Sequence, residues 1–514
     1  MASVSSVGAL RVLNGDIPYR DFWTVYAPGN FYLVALLYKI FGTHLLVERV
    51  ASALVFTGAG YLVYRLAFNL TGTRWIAWVS AAILLVAAFN SPYHKYLGTY
   101  PPALLLITLS LYMLSLYYRS QNLKQLLWVG VFAGAIAVFK HDVGAYTIIS
   151  IFVGLAAYQL LAPRAHAEDM ALRRKLVPLL IFGTGVALTA LPVYAYFALV
   201  TWQDMWQNIV VFPLTDFRYS RPDSYPGILP LGIYQGSEGF SGLNLIRYIT
   251  YNLPFLLFLG GIVTTFLSAR RGNVTAAALG VTFLVAYLLH YSAAHVQNNT
   301  HLISMSMYAV LLGGMLFQTV LSGRSGINAR YAAIATAAFI CFWIFSSLAL
   351  PSSLTLRNIR RLTEPIHLTN VSGLRTRPNI ADSVNELAEY IDSRLTPDES
   401  IYVGLHRHDI VIIGDTPLYF MLGRRNATRY QELHPAITDT APIQREIISD
   451  LESKRIHLIV LKKIFDDSTL DKVKQDFLRN LPNIGSTLLD DYIHENYLEV
   501  VNFGPYAVWE RTDY

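Results

Sequence analysis

The chain has 514 residues, of which 54% are hydrophobic and only 14% charged, whereas ordinary soluble domains carry roughly 25% charged residues. That balance excludes a simple water-soluble fold and predicts a polytopic α-helical membrane protein. The net charge of +6 is no sign of nucleic-acid binding. Of the 40 Lys and Arg and the 34 Asp and Glu, 19 and 24 fall after residue 354, leaving 21 basic against 10 acidic before it, an excess that positive cytoplasmic loops explain. The single cysteine, Cys341, supports neither a disulfide nor a metal cluster.

The chain begins MASVSSVGALRVLNG, with no charged front followed by an apolar core, so no signal peptide is read there. The organising stretch follows, Gly15 to Gly42. It sets Asp16, Arg20 and Asp21 beside Tyr19, Phe22, Trp23 and Tyr26, breaks at Pro28-Gly29, and continues as an aromatic helix from Phe31 to Phe41. Rings with polar tips favour the membrane–water interface, so residues 1–43 are expected to form an external interfacial segment. Residues 44–354 are expected to form a multi-span domain of about ten helices, each near the ~20 residues a crossing needs. The apolar runs are Leu45–Leu70, Trp75–Asn90, Pro101–Tyr118, Leu126–Phe139, Gly144–Leu161, Val177–Val200, Tyr248–Leu267, Thr275–His290, Leu302–Leu321 and Tyr331–Leu350.

Basic residues gather at alternate boundaries: Arg65/Arg74, Arg119/Lys124, Arg164 to Lys175, Arg270/Arg271 and Arg324/Arg330. The positive-inside rule puts these in the cytoplasm and turns Tyr93–Tyr100, Lys140–Asp142, Trp202–Arg247 and Tyr291–His301 outward. Residues 355–514 are expected to be a soluble extracytoplasmic α/β domain. Helices are predicted over Ser383–Leu395, Ile443–Ser453 and Ser468–Leu481. Strands are predicted at Ser400–Gly404, Ile456–Leu461, Leu498–Val501 and Tyr506–Glu510. Gly423–Pro435, reading GRRNATRYQELHP, is a polar loop with no assigned purpose.

Several residues could carry chemistry. Lys140-His141-Asp142-Val143-Gly144 interrupts two apolar runs, where ionisable groups are either functional or paired. Lys140 could hold a phosphate as a point charge; the alternative is a local Lys140–Asp142 pair joining two helix ends. His94 and Lys95 could touch a polar head group or merely snorkel. His290, His295 and His301 bracket a short loop and suit single hydrogen bonds better than a metal. Asp16 and Asp21 are the carboxylates of the opening stretch; a base against an apolar wall would have a raised pKa. The alternative is a pair between Asp21 and Arg20. The spacing of His406, His408 and His434 matches no ligand motif, and so few clustered carboxylates give no indication of a divalent metal.

GDIPYRDFW…YAPGNFYLVALLYKIFG, then Glu48-Arg49, FKHDVG, the loop with Arg218 and the His295–His301 loop together resemble the protein O-mannosyltransferases and the lipid A aminoarabinose transferase, C-type glycosyltransferases. The resemblance implies a membrane enzyme that moves a sugar, with inversion, from a polyprenyl-phosphate carrier to a lipid, glycan or protein acceptor on the extracytoplasmic face, with no cofactor. It implies Lys140 and Arg218 or Arg221 as phosphate contacts. Arg20, His94, Lys95 and His301 are further substrate-binding candidates, with Asp21 or Asp16 as the fallback base. Relatives carry an acidic motif at the end of a first helix, upstream of the glycine matching Gly15. That position falls at or before Met1, so a truncated start is expected. Two rival readings are a transporter or flippase for lipid-linked sugars and a non-catalytic scaffold; the paired halves of many transporters are not visible.

Overall fold

The computed structural model describes residues 2–90, 96–162, 171–217, 219, 242–297, 302–322, 360–412 and 414–512. They divide into two compact units: one of Met1–Val50, Phe197–Pro222 and Leu356–Tyr514, the other of Ala51–Tyr196 and Asp223–Thr355.

In the first unit the chain opens with a helix the sequence reading did not anticipate, α1 (Ala2–Leu13), followed by α2 (Gly29–Phe41). Gly8 lets them meet, because a Cβ there would press into the Phe31 ring at 2.5 Å. α2 leaves Tyr32, Leu36 and Ile40 exposed, one every fourth residue, beside Phe41. These residues leave an uncovered apolar stripe along one side of α2.

The helices of the multi-span region are α3 (Leu45–Thr71), α4 (Arg74–Asn90), α5 (Tyr100–Ser120), α6 (Leu123–Phe139), α7 (His141–Leu161) and α8 (Ala171–Trp206). After a π turn at Gln207–Val211 come the single turn α9 (Phe212–Leu214), then α10 (Gly242–Arg270), α11 (Val274–Gln297) and α12 (Leu302–Leu321). A helix stands at every predicted span except Tyr331–Leu350, which lies outside the described residues. Among the described residues, six helices are long and apolar enough to cross a membrane; α4, α6 and α12 contain shorter apolar segments. The second unit is thus a multi-span helical bundle, held where small residues let backbones touch. A Cβ on Gly130 or Gly134 of α6 would collide with Phe182, Val186 or Thr189 of α8. Such close approach replaces the hydrophobic drive that lipid removes. Its core includes Ile107, Leu111, Val143, Phe283 and Tyr308, each at most 1% exposed.

Besides residues 197–222, which carry the end of α8, the π turn and α9, the rest of the first unit is an α/β layer. A short antiparallel pair, β1 (Glu364–Pro365) and β2 (Arg375–Thr376), precedes α13 (Pro378–Arg394). Then come β3 (Tyr402–Leu405), α14 (Thr416–Leu422), α15 (Ala441–Ser453), β4 (Leu458–Lys462), α16 (Asp467–Leu478), α17 (Leu488–Asn496), β5 (Tyr497–Phe503) and β6 (Tyr506–Arg511). The sheet order is β3-β4-β6-β5; β3 and β4 are parallel, and the other pairs antiparallel. α13 buries Ala381, Val384, Leu387, Ala388 and Ile391, a 3–4 repeat that makes one apolar face. β4 buries Leu458 to Leu461 without alternation because it is an inner strand covered on both faces. The sequence reading missed α14 and α17, which are short and carry no long apolar period.

Candidate functional site

Two places among the described residues hold the ionisable candidates named from the sequence, one in each unit. The first is the elbow between α1 and α2. Its backbone turns through positive φ at Gly15 (96°) and Tyr19 (70°). Arg11, unremarked in the sequence, is its hub. Its Nε donates to Asp16 Oδ2 at 2.6 Å, Nη2 to the Asp21 carbonyl at 2.8 Å and Nη1 to the Thr428 carbonyl at 3.0 Å. Asp21 accepts from the Ile17 amide at 2.7 Å and pairs with Arg20. The Arg20 hydrogen bond holds its carboxyl below the usual range, opposite to the rise an apolar wall would cause. Asp16 and Asp21 are thus built into the elbow through charge-assisted hydrogen bonds.

The rings of the elbow face into the unit. Tyr19 and Phe22 are fully buried and Trp23 nearly so. Trp23, Phe212 and Phe217 enclose the His434 ring at centroid distances of 5.4, 5.1 and 5.4 Å. Arg429 closes the other side. Its Nη2 donates to the Tyr19 carbonyl at 2.6 Å and lies 3.2 Å from Asp204, while its carbonyl accepts from the Trp23 amide. The segment Gly423–Pro435 therefore clamps the opening stretch. Glu48 is another residue whose place the sequence reading left open. It is fully buried, and one of its oxygens accepts from Ser6 of α1 and Tyr38 of α2. A lone carboxylate in the first turn of an apolar helix was the available signal.

The second place is the α6–α7 corner. Lys140 takes extended backbone angles, ends α6 through its amide to Ile136, and precedes the first residue of α7. Its Nζ lies 3.0 Å from Asp142 Oδ1 and 3.1 Å from Oδ2, and 4.8 Å from the centre of the Tyr100 ring. The two side chains are 11% and 14% exposed. Asp142 also accepts from the Val143 amide at 2.9 Å. Gly144 is where α7 folds onto α6: a Cβ there would collide with the Ala137 backbone. Behind the corner, Tyr146 meets the buried His290 ring at 5.3 Å, and His290 meets Tyr308 at 5.3 Å. The His290 ring also bonds the Ala286 carbonyl at 2.8 Å.

His94, Lys95, Arg218, Arg221 and His301 lie outside the described residues. His406 bonds Asp467, His408 bonds Asp490 and Tyr402, and His434 sits in the aromatic enclosure, so the three do not converge. Among the described residues, no group of three metal-ligating side chains comes together.

Residues 25–203 match the family model described as dolichyl-phosphate-mannose-protein mannosyltransferase. A protein of Aquifex aeolicus (strain VF5), described as uncharacterized, is 29% identical over 171 residues; the match spans 33% of this chain and 32% of that relative's length. The crystal structure of ArnT from Cupriavidus metallidurans in the apo state aligns over 99% of this chain and 92% of its own, with TM-score 0.51 and 13% identity. The same protein bound to undecaprenyl phosphate aligns over 98% and 92%, with TM-score 0.46 and 14% identity. This multi-span chain therefore shares its fold with the apo ArnT structure and, over residues 25–203, matches the dolichyl-phosphate-mannose-protein mannosyltransferase family model.

Proposed function

We propose that the protein is a membrane glycosyltransferase that takes a sugar from a polyprenyl-phosphate carrier and passes it, with inversion, to an acceptor on the extracytoplasmic face. The observation that carries this is the α6–α7 corner. It keeps a lysine and its carboxylate largely out of solvent between two apolar helices, within the stretch that matches the mannosyltransferase family. A buried charge is expensive to maintain and in a membrane helix usually marks a substrate path.

The chemistry follows from charge. An acceptor hydroxyl attacks the anomeric carbon, the bond from that carbon to the phosphate oxygen breaks, and lipid phosphate leaves with the bonding electrons. Negative charge builds on the phosphate in the transition state, and a fixed ammonium beside it, Lys140, lowers the barrier. Arg218 or Arg221 is proposed as the second cation, and Asp21 or Asp16, once released from its arginine partner, as the group that receives the hydroxyl proton. The test is an assay of the full chain in bilayers with polyprenyl-phosphate-linked sugars, following release of lipid phosphate. Lys140→Ala should lower transfer by about 10²-fold or more, as loss of one preorganised transition-state contact does, while the protein remains membrane-inserted. Undiminished transfer removes Lys140 from the mechanism. Full turnover by both Asp21→Asn and Asp16→Asn removes the opening carboxylates.

A further inference from the structure

We propose that Asp142 is an internal stand-in for the substrate phosphate. It holds Lys140 while no lipid is bound, gives it up to the donor, and retakes it to expel the lipid-phosphate product. This rests on the reading that Lys140 receives that phosphate.

The two partners differ in how they are fixed. Asp142 is anchored: it lies in the first turn of α7 and accepts from the Val143 amide at 2.9 Å. Lys140 reaches both carboxylate oxygens from a flexible four-carbon stem and keeps one side against Tyr100. Lys140 is therefore the partner that swings. When it turns to a phosphate, Asp142 is not stranded, because the positive end of the α7 dipole and the Val143 amide still stabilise its charge. Without those two supports, breaking a pair this buried would be strongly unfavourable.

Charge also gives the exchange a direction. The donor is a phosphodiester with one negative charge, and the product is a monoester approaching two near neutral pH. A bare lysine would hold the product more tightly than the donor and stall turnover. A tethered carboxylate two residues away competes at constant high effective concentration and restores release.

The experiment titrates the full-length protein in nanodiscs with polyprenyl phosphate and measures donor turnover in parallel. Asp142→Asn should bind polyprenyl phosphate about tenfold more tightly, lower kcat, and leave KM for the donor unchanged or reduced; Asp142→Glu should restore kcat. Asp142→Ser, which keeps an acceptor oxygen for the Val143 amide, should behave like Asp142→Asn. A purely structural role would instead lower inserted protein and leave product affinity unmoved. Unchanged or weaker product affinity in correctly inserted Asp142→Asn and Asp142→Ser overturns the proposal while leaving Lys140 in place. If the wild-type protein does not bind polyprenyl phosphate, or Lys140→Ala binds it equally well, the donor reading fails and takes this one with it.

Discussion

Asp439 shows how a single buried carboxyl couples the α/β layer to pH. It is fully buried just before α15. Burial pushes its pKa up to about 7, against partial relief from the amides of Asp439 itself, Val411 and Ala436 and a further push from Asp409. Unfolded, the same group would titrate near 4. Between those values the folded state holds a proton that the unfolded chain has lost. The unfolding free energy therefore falls as pH rises from about 4 to about 7, by on the order of 4 kcal/mol, and the penalty is fully present above that window. Asp439→Asn should remove most of this slope and raise the melting temperature at pH 8 more than at pH 5. Melting curves of both proteins across that range check it; parallel pH profiles would mean the group is ionised without penalty.

At the scale of elements, the α6–α7 corner depends on one missing side chain. Gly144 brings the first turn of α7 onto Ala137 of α6, and the same turn carries Asp142 within reach of Lys140. Gly144→Ala should push the helices apart, destabilise the protein by about 1–3 kcal/mol as overpacking does, and lower transfer even though no ionisable group has changed. Thermal unfolding and the lipid-phosphate release assay on the same preparation check it; wild-type turnover would show that the corner tolerates displacement. The ionisable part of KHDVG was legible in the sequence because charge is conspicuous between apolar runs. The role of Gly144 was not, because it exists only against a facing backbone. The same contrast holds in the first unit. The α13 period and the β4 run could be read directly, while Arg11, Glu48 and the clamp at Gly423–Pro435 act through partners far along the chain, such as Thr428 for Arg11 and Ser6 for Glu48. α1 escaped notice because Ser3, Ser5, Ser6 and Gly8 blur its period, although Val4, Val7 and Ala9 are buried.

For the whole molecule, two kinds of charge are separated along the chain. The basic pair Arg270-Arg271 closes α10, and the acid-rich residues after 354 make a layered α/β fold. Positive loops stay on the side of synthesis because moving them across opposes the membrane potential. We therefore propose that Arg271 is cytoplasmic and the α/β layer extracytoplasmic. Both Arg271 and Arg479 are exposed, so single cysteines there, in a Cys341→Ala background, report on side without disturbing the core. A membrane-impermeant maleimide should label Arg479→Cys in cells whose outer barriers have been opened but whose bilayer is intact. It should label Arg271→Cys only after the bilayer is permeabilised. The reverse pattern would turn the protein over in the membrane and put the proposed transfer on the cytoplasmic face. Labelling of both positions from one side would mean that the crossings between them do not form the alternating set their loop charges imply.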